Sequence, residues 1–177
     1  MNKSNEKHGI LYISCGVPGS GKTSWLKSHI RADEILVSRD DIRFAYLEEA
    51  EKEYDKVEYF SCEGKVFPTF IEEITKYING GANVYADATH LNKASVTKLL
   101  YALEAEECKP EHIELIYFKV PLDICLERNE LRKGTKAYVP KGVIKRMYST
   151  YEPYKDTIFE KIWEIDENGT VYKVPLF

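Results

Sequence analysis

Long hydrophobic runs are missing from this 177-residue chain. No apolar stretch approaches the roughly 20 residues that a spanning helix needs, which argues against a membrane partner. Residues 1–8 are polar, with no apolar signal region behind them, so the expected location is cytoplasmic. Cysteine is sparse and unpatterned. Cys15, Cys62, Cys108 and Cys125 form no C-x-x-C pair, and His8, His29, His90 and His112 show no ligand spacing. The thiols therefore read as buried and reduced, and a structural zinc site is not indicated. Internal repeats, low-complexity tracts and an obvious linker are also lacking. What remains is 44% hydrophobic and 31% charged, the composition of an ordinary globular domain large enough for its own core.

One local pattern stands out. Residues 16–23, Gly16-Val17-Pro18-Gly19-Ser20-Gly21-Lys22-Thr23, match the phosphate-binding loop G-x-x-x-x-G-K-[ST] at every fixed position. The glycines let successive backbone N–H groups turn toward phosphates, Lys22 reaches the β and γ oxygens, and the Thr23 hydroxyl suits Mg²⁺. The flanks supply the context the motif requires. Residues 10–15 read as a short buried strand, and residues 23–30 as a helix whose dipole faces the phosphates. A bound nucleoside triphosphate, ATP or another, is expected.

Further strand candidates at 35–37, 84–86 and 113–120 alternate with helical segments, predicting an α/β fold with a mainly parallel sheet covered by helices on both faces. Val57, Phe60, Gly64, Phe67, Phe70, Ile71, Ile74, Tyr77 and Ile78 recur at mostly three- and four-residue steps, as on an amphipathic helix that Pro68 can kink or split. Asn79-Gly80-Gly81 ends it and leads to a strand finishing at Asp87. That position is where open α/β sheets bind ligands, so Asp87 is a candidate to hold Mg²⁺ through water; a helix-cap or turn aspartate is the alternative. A second covering helix spans 93–108 with Asn92 as its N-cap, and others begin near Pro121 and Pro140. Residues 162–174 alternate around Asn168-Gly169 and read as a β-hairpin.

After the second strand comes Ser38-Arg39-Asp40-Asp41-Ile42-Arg43, at the same sheet edge. A carboxylate there can accept the proton of an attacking hydroxyl, and an arginine one turn on can grip an anion on the same acceptor. The net charge of −4 is unevenly spread: residues 128–146 carry seven basic residues against Glu130, a net +6, which leaves −10 for the rest. Residues 128–140 within it read as a basic lid. Because phosphoryl transfer is mostly positioning and charge stabilisation, cations closing over the phosphates supply much of the catalysis.

With these pieces in order, the chain resembles the 5′-hydroxyl polynucleotide kinases, within them the kinase domain of the T-even phage type. The resemblance covers about residues 10–148. It rests on the P-loop, the R-D-D-x-R element at 39–43, the Asp87 to Asn92 element and the lid ending Gly134-Thr135-Lys136-Ala137-Tyr138-Val139-Pro140. It implies that Lys22 and Thr23 serve triphosphate and metal, that Asp40 is the general base on a 5′-OH end of RNA or DNA, and that Arg43 grips the acceptor's 3′-phosphate, with Arg39 beside it. Gly16, Pro18, Gly19, Ser20, Gly21 and Arg128 complete the nucleotide site. The lid arginine falls on Arg132, with Lys133 next to it and Tyr138 inserted before Val139, so both registers stay open. His90 replaces the usual Asn.

The resemblance further implies an ATP-dependent kinase of nucleic-acid repair, in the host cytoplasm if phage-encoded, without the D-x-D-x-T motif of a 3′-phosphatase module. Residues 1–177 are expected to be a single P-loop kinase domain, with core and lid over 9–150 and a C-terminal strand and hairpin over 158–177. Two other readings compete: a P-loop kinase for a small molecule or nucleotide, and a nucleotide-dependent switch. Preference between RNA and DNA, the triphosphate base and the oligomeric state leave no mark in these motifs.

Overall fold

A computed structural model describes residues 7–53 and 58–176. Six strands form one sheet in the order β2-β3-β1-β4-β5-β6: β1 Leu11–Cys15, β2 Ile35–Ser38, β3 Val84–Asp87, β4 Ile113–Phe118, β5 Phe159–Ile165 and β6 Val171–Val174. β1 through β5 pair in parallel and β6 is antiparallel on the edge. The first four strands are short and nearly continuously apolar because both faces of a parallel sheet are covered.

Among the described residues six helices supply that cover: α1 Lys22–His29, α2 Arg39–Ala50, α3 Glu63–Asn79, α4 Lys93–Ala105, α5 Leu122–Glu130 and α6 Lys141–Ser149. The main core lies between the sheet and α3 and α4, where Phe70, Ile74, Ile78, Val96 and Leu99 pack on Leu11, Ile13, Val84 and Leu115. On the opposite face Leu26 of α1 packs with Ile116, Phe118 and Ile165. Each such side chain removed from water contributes about 1.5–3 kcal/mol. The chain leaves β1 for β2 on one side and reaches β4 on the other, so a crevice opens at the strands' C-terminal ends.

The strands and helices lie close to where the sequence places them, but α4 ends at Ala105 and, of the thiols expected to be buried, Cys62 and Cys108 are only half-buried. α3 runs unbroken through Pro68. Proline removes only the bond to Gly64, whose exposed carbonyl region is open to water, so the second turn tolerates it. The expected start of that helix at Val57 lies outside the described residues, and Phe60 falls in a turn before α3. Asn92 caps α4 in a reciprocal capping box with Ser95. The 162–174 hairpin is present, with Gly169 at φ +81 in its turn. No helix among the described residues is long and apolar enough to cross a membrane.

Candidate functional site

The loop between β1 and α1 forms a cradle built from backbone. Gly19 and Gly21 adopt φ +84 and +89, a region open to glycine at little cost, and a Cβ on Gly19 would sit 2.2 Å from the Cys125 carbonyl oxygen. The first N–H groups of α1 have no intrahelical partner and point into the crevice end of the helix. Among the described residues, buried Ser20 Oγ has no hydrogen-bond partner and the buried Lys22 ammonium has only a long 3.5 Å contact to the Val17 carbonyl. Burial pushes the Lys22 pKa down, while Asp87 and Asp40 pull it back up and Arg132 opposes them. Unsatisfied donors around a buried cation fit a triphosphate.

Asp87, at the end of β3, is buried beside this cradle. Thr23 Oγ1 donates to its Oδ2 at 2.6 Å and Ser14 Oγ to its Oδ1 at 3.1 Å. It caps no helix, since Asn92 does that for α4. A hydroxyl and a carboxylate in contact are hard oxygen ligands, which fit Mg²⁺.

The other side of the crevice is made of side chains. Ser38 caps α2, its Oγ accepting from the Asp41 N–H at 3.2 Å, and this fixes the helix start that carries Arg39, Asp40 and Arg43. Asp40 is exposed and pairs with the buried Arg43. Arg43 also donates to Glu63 at 2.8 Å and to Tyr59 Oη at 3.1 Å, and Tyr59 Oη donates to Asp40 Oδ1 at 3.0 Å. Arg39 pairs with Glu63 too. Burial would raise the Glu63 pKa, but hydrogen bonds from Arg43 and Arg39 outweigh it and hold the carboxyl below its usual range. Burial and the Asp40 charge push the Tyr59 phenol up to about 12, so it stays a donor.

Both halves open into one cavity of about 530 Å³, lined by Pro18, Gly19, Gly21, Lys22 and Thr23, by Arg39, Asp40, Arg43 and Asp87, and by Arg132. The lid brings Arg132 into it and not Lys133. Buried Asn129 pins the lid's return, donating from Nδ2 to the Val139 carbonyl at 2.7 Å and accepting from the Val139 N–H at 3.0 Å. Gly16, Ser20 and Arg128 are not among the residues that line the cavity. Arg128, expected at the triphosphate, lies against the P-loop and donates to the carbonyls of Ser20 at 3.3 Å and Glu167 at 2.7 Å, tying the P-loop to the hairpin turn. His90 also lies beneath the loop, its Nδ1 donating to the Ser14 carbonyl at 2.9 Å.

Sequence reasoning misses Tyr59, Glu63, Phe44 and Asn129. Glu63 opens a helix and Asn129 sits inside the lid stretch, but nothing in their spacing marks a partner.

A family model described as an AAA domain matches residues 11–154, the span from β1 past the lid. The chain belongs to that family. Among solved structures, a chain of the Pnkp1/Rnl/Hen1 RNA repair complex is similar over 85% of this chain and 47% of its own, at 22% identity and a TM-score of 0.65. This chain thus spans about half the length of that relative. A gluconokinase from Sinorhizobium meliloti 1021 matches over 96% and 86%, at 15% identity and TM-score 0.57. Chaetomium thermophilum Kti12, in complex with ADP-AlF3, matches over 88% of each chain at 13% identity and TM-score 0.60. Together these likenesses show the fold, a mostly parallel α/β sheet flanked by helices.

Proposed function

We propose that this protein is a polynucleotide 5′-hydroxyl kinase of nucleic-acid repair, transferring the γ-phosphoryl group of ATP to 5′-OH ends of RNA or DNA. One observation carries the reading: a carboxylate held by an arginine, Asp40 with Arg43, lines the same cavity as Lys22, Thr23 and Arg132. One oxygen of Asp40 is occupied by Arg43 and Tyr59, which leaves the other to accept the acceptor's hydroxyl proton. As that O–H bond breaks, the oxygen bonds to the γ phosphorus and the bond to the β-phosphate oxygen breaks, releasing ADP. Lys22 and Arg132 stabilise the negative charge on the transferring group. Thr23 Oγ1 and the Asp87 carboxylate would hold Mg²⁺, which would supply charge neutralisation at the triphosphate. The likeness to a chain of an RNA repair complex supports the acceptor class.

A small-molecule kinase is the second reading, favoured by the nearly whole-length match to the gluconokinase. The deciding experiment is transfer of labelled γ-phosphate from ATP to 5′-OH RNA and DNA oligomers, with nucleosides, nucleotides and gluconate in parallel. Label is expected on oligomers and should fall about 10²- to 10⁴-fold with Asp40→Asn while ATP binding persists. Label confined to small acceptors, or unimpaired transfer by Asp40→Asn, would overturn the reading.

A further inference from the structure

Asp40 and Arg43 are surrounded by aromatic rings that the phosphoryl chemistry does not require. Phe44 comes from α2, and Tyr59 and Phe60 from the turns before α3; all three line the cavity. Arg43 Cζ lies 4.8 Å from the Tyr59 ring centroid and 5.7 Å from that of Phe60. Tyr59 and Phe60 meet edge to face, with centroids 4.8 Å apart and planes at 89°, and Phe44 packs against Tyr59 at 6.4 Å. Phe60 is nonetheless 65% exposed. A large apolar ring fixed by its neighbours, yet left facing water beside a substrate-gripping arginine, is a surface waiting for an apolar partner.

The chemistry of the wall limits that partner. On the lid side the same cavity is lined by Tyr138, Val139, Val143 and Met147. A polyol acceptor needs hydrogen-bonding groups for its hydroxyls, whereas a nucleobase offers a flat π face that stacks on aromatic rings. Of the polar side chains nearest the rings, Asp40 and Glu63 both pair with Arg43, and the remaining Asp40 oxygen is the one assigned to the 5′-hydroxyl proton.

Resting on the polynucleotide reading, we infer that Phe60, backed by Tyr59 and Phe44, is the stacking platform for the nucleobase of the acceptor's terminal nucleotide. Arg43 lies over both Tyr59 and Phe60, so the 3′-phosphate grip and the platform serve two ends of one nucleotide. Stacking without edge reading accepts every base, with larger purines held better than pyrimidines.

The test compares 5′-OH oligomers whose terminal nucleotide is intact with the same oligomers made abasic there. For the native enzyme, the abasic end raises the acceptor KM roughly tenfold, with a smaller effect on kcat. Phe60→Ala brings the ratio between the two acceptors close to one, and Phe60→Trp keeps it. A native ratio near one, or an undiminished ratio in Phe60→Ala, overturns the platform while leaving the kinase reading intact. No label on any oligomer overturns both.

Discussion

The two halves of the cavity are built on different principles. On the proposed function, the donor half comes from one continuous stretch, residues 16–23, whose backbone N–H groups and left-handed glycines make the cradle. The acceptor half is assembled from α2, the turn carrying Tyr59 and Phe60, the first turn of α3 and the lid, and it works through side chains. Local chain geometry fixes the spacing of the first, so it appears as a motif. Tertiary docking fixes the second, since Arg43 meets Glu63 only because α2 packs on α3.

Removing the group that spans the halves should have the largest effect. Arg132 enters from the lid, lines the cavity and acts on Lys22. Arg132→Ala is expected to lower kcat by about 10³- to 10⁵-fold in single-turnover transfer, the range for an arginine acting on the transferring phosphoryl group. Lys133→Ala should change it little. A larger loss from Lys133→Ala would shift the lid register by one residue and detach Arg132 from the donor half.

The same contrast explains what is legible in the sequence. The sheet, the P-loop, the cap at Asn92 and the hairpin at Asn168-Gly169 are local patterns, and the structure holds them where the spacing places them. Asp87 is legible because strand ends face the crevice, and its contact with Thr23 follows from the parallel register of β1 and β3. The carbonyl partners of Arg128 are not legible in the same way. Its basic neighbours suggest a phosphate partner, while the carbonyls of Ser20 and Glu167 to which it donates lie 108 and 39 residues away in sequence. Tyr59 and Glu63 are invisible because an isolated aromatic or acid carries no periodicity.

Arg43 sharpens the comparison on the acceptor side. Charge-assisted hydrogen bonds are worth about 1.5–3 kcal/mol, so for acceptor ends that carry a 3′-phosphate Arg43→Ala should raise KM roughly 10- to 100-fold. Ends lacking that phosphate should lose less, and the KM for ATP should stay near its native value. Equal losses for both ends would confine Arg43 to holding Asp40 and Glu63 in place.

The smallest effect belongs to the seam beneath both halves. Burial pushes the His90 pKa down from 6.5 to about 4, with Arg39 and Lys22 adding to the fall and the bond to Ser14 opposing it. Burial keeps the ring neutral near pH 7, and the carbonyl partner puts its one proton on Nδ1. The folded value lies below the unfolded one, so the unfolded chain takes up the proton first as the solution is acidified. The stability tied to this histidine is therefore full above pH 6.5 and is lost as pH falls toward 4. His90 also holds φ +40, a conformation that asparagine tolerates better. His90→Asn keeps an amide donor for Ser14 and removes the titration. Between pH 7 and 5 the native protein should lose about 2 kcal/mol more unfolding free energy than the variant, measured by urea denaturation. Parallel losses would mean that the imidazole is hydrated in the folded state, and the floor shared by the two halves would then be wetter than its burial indicates.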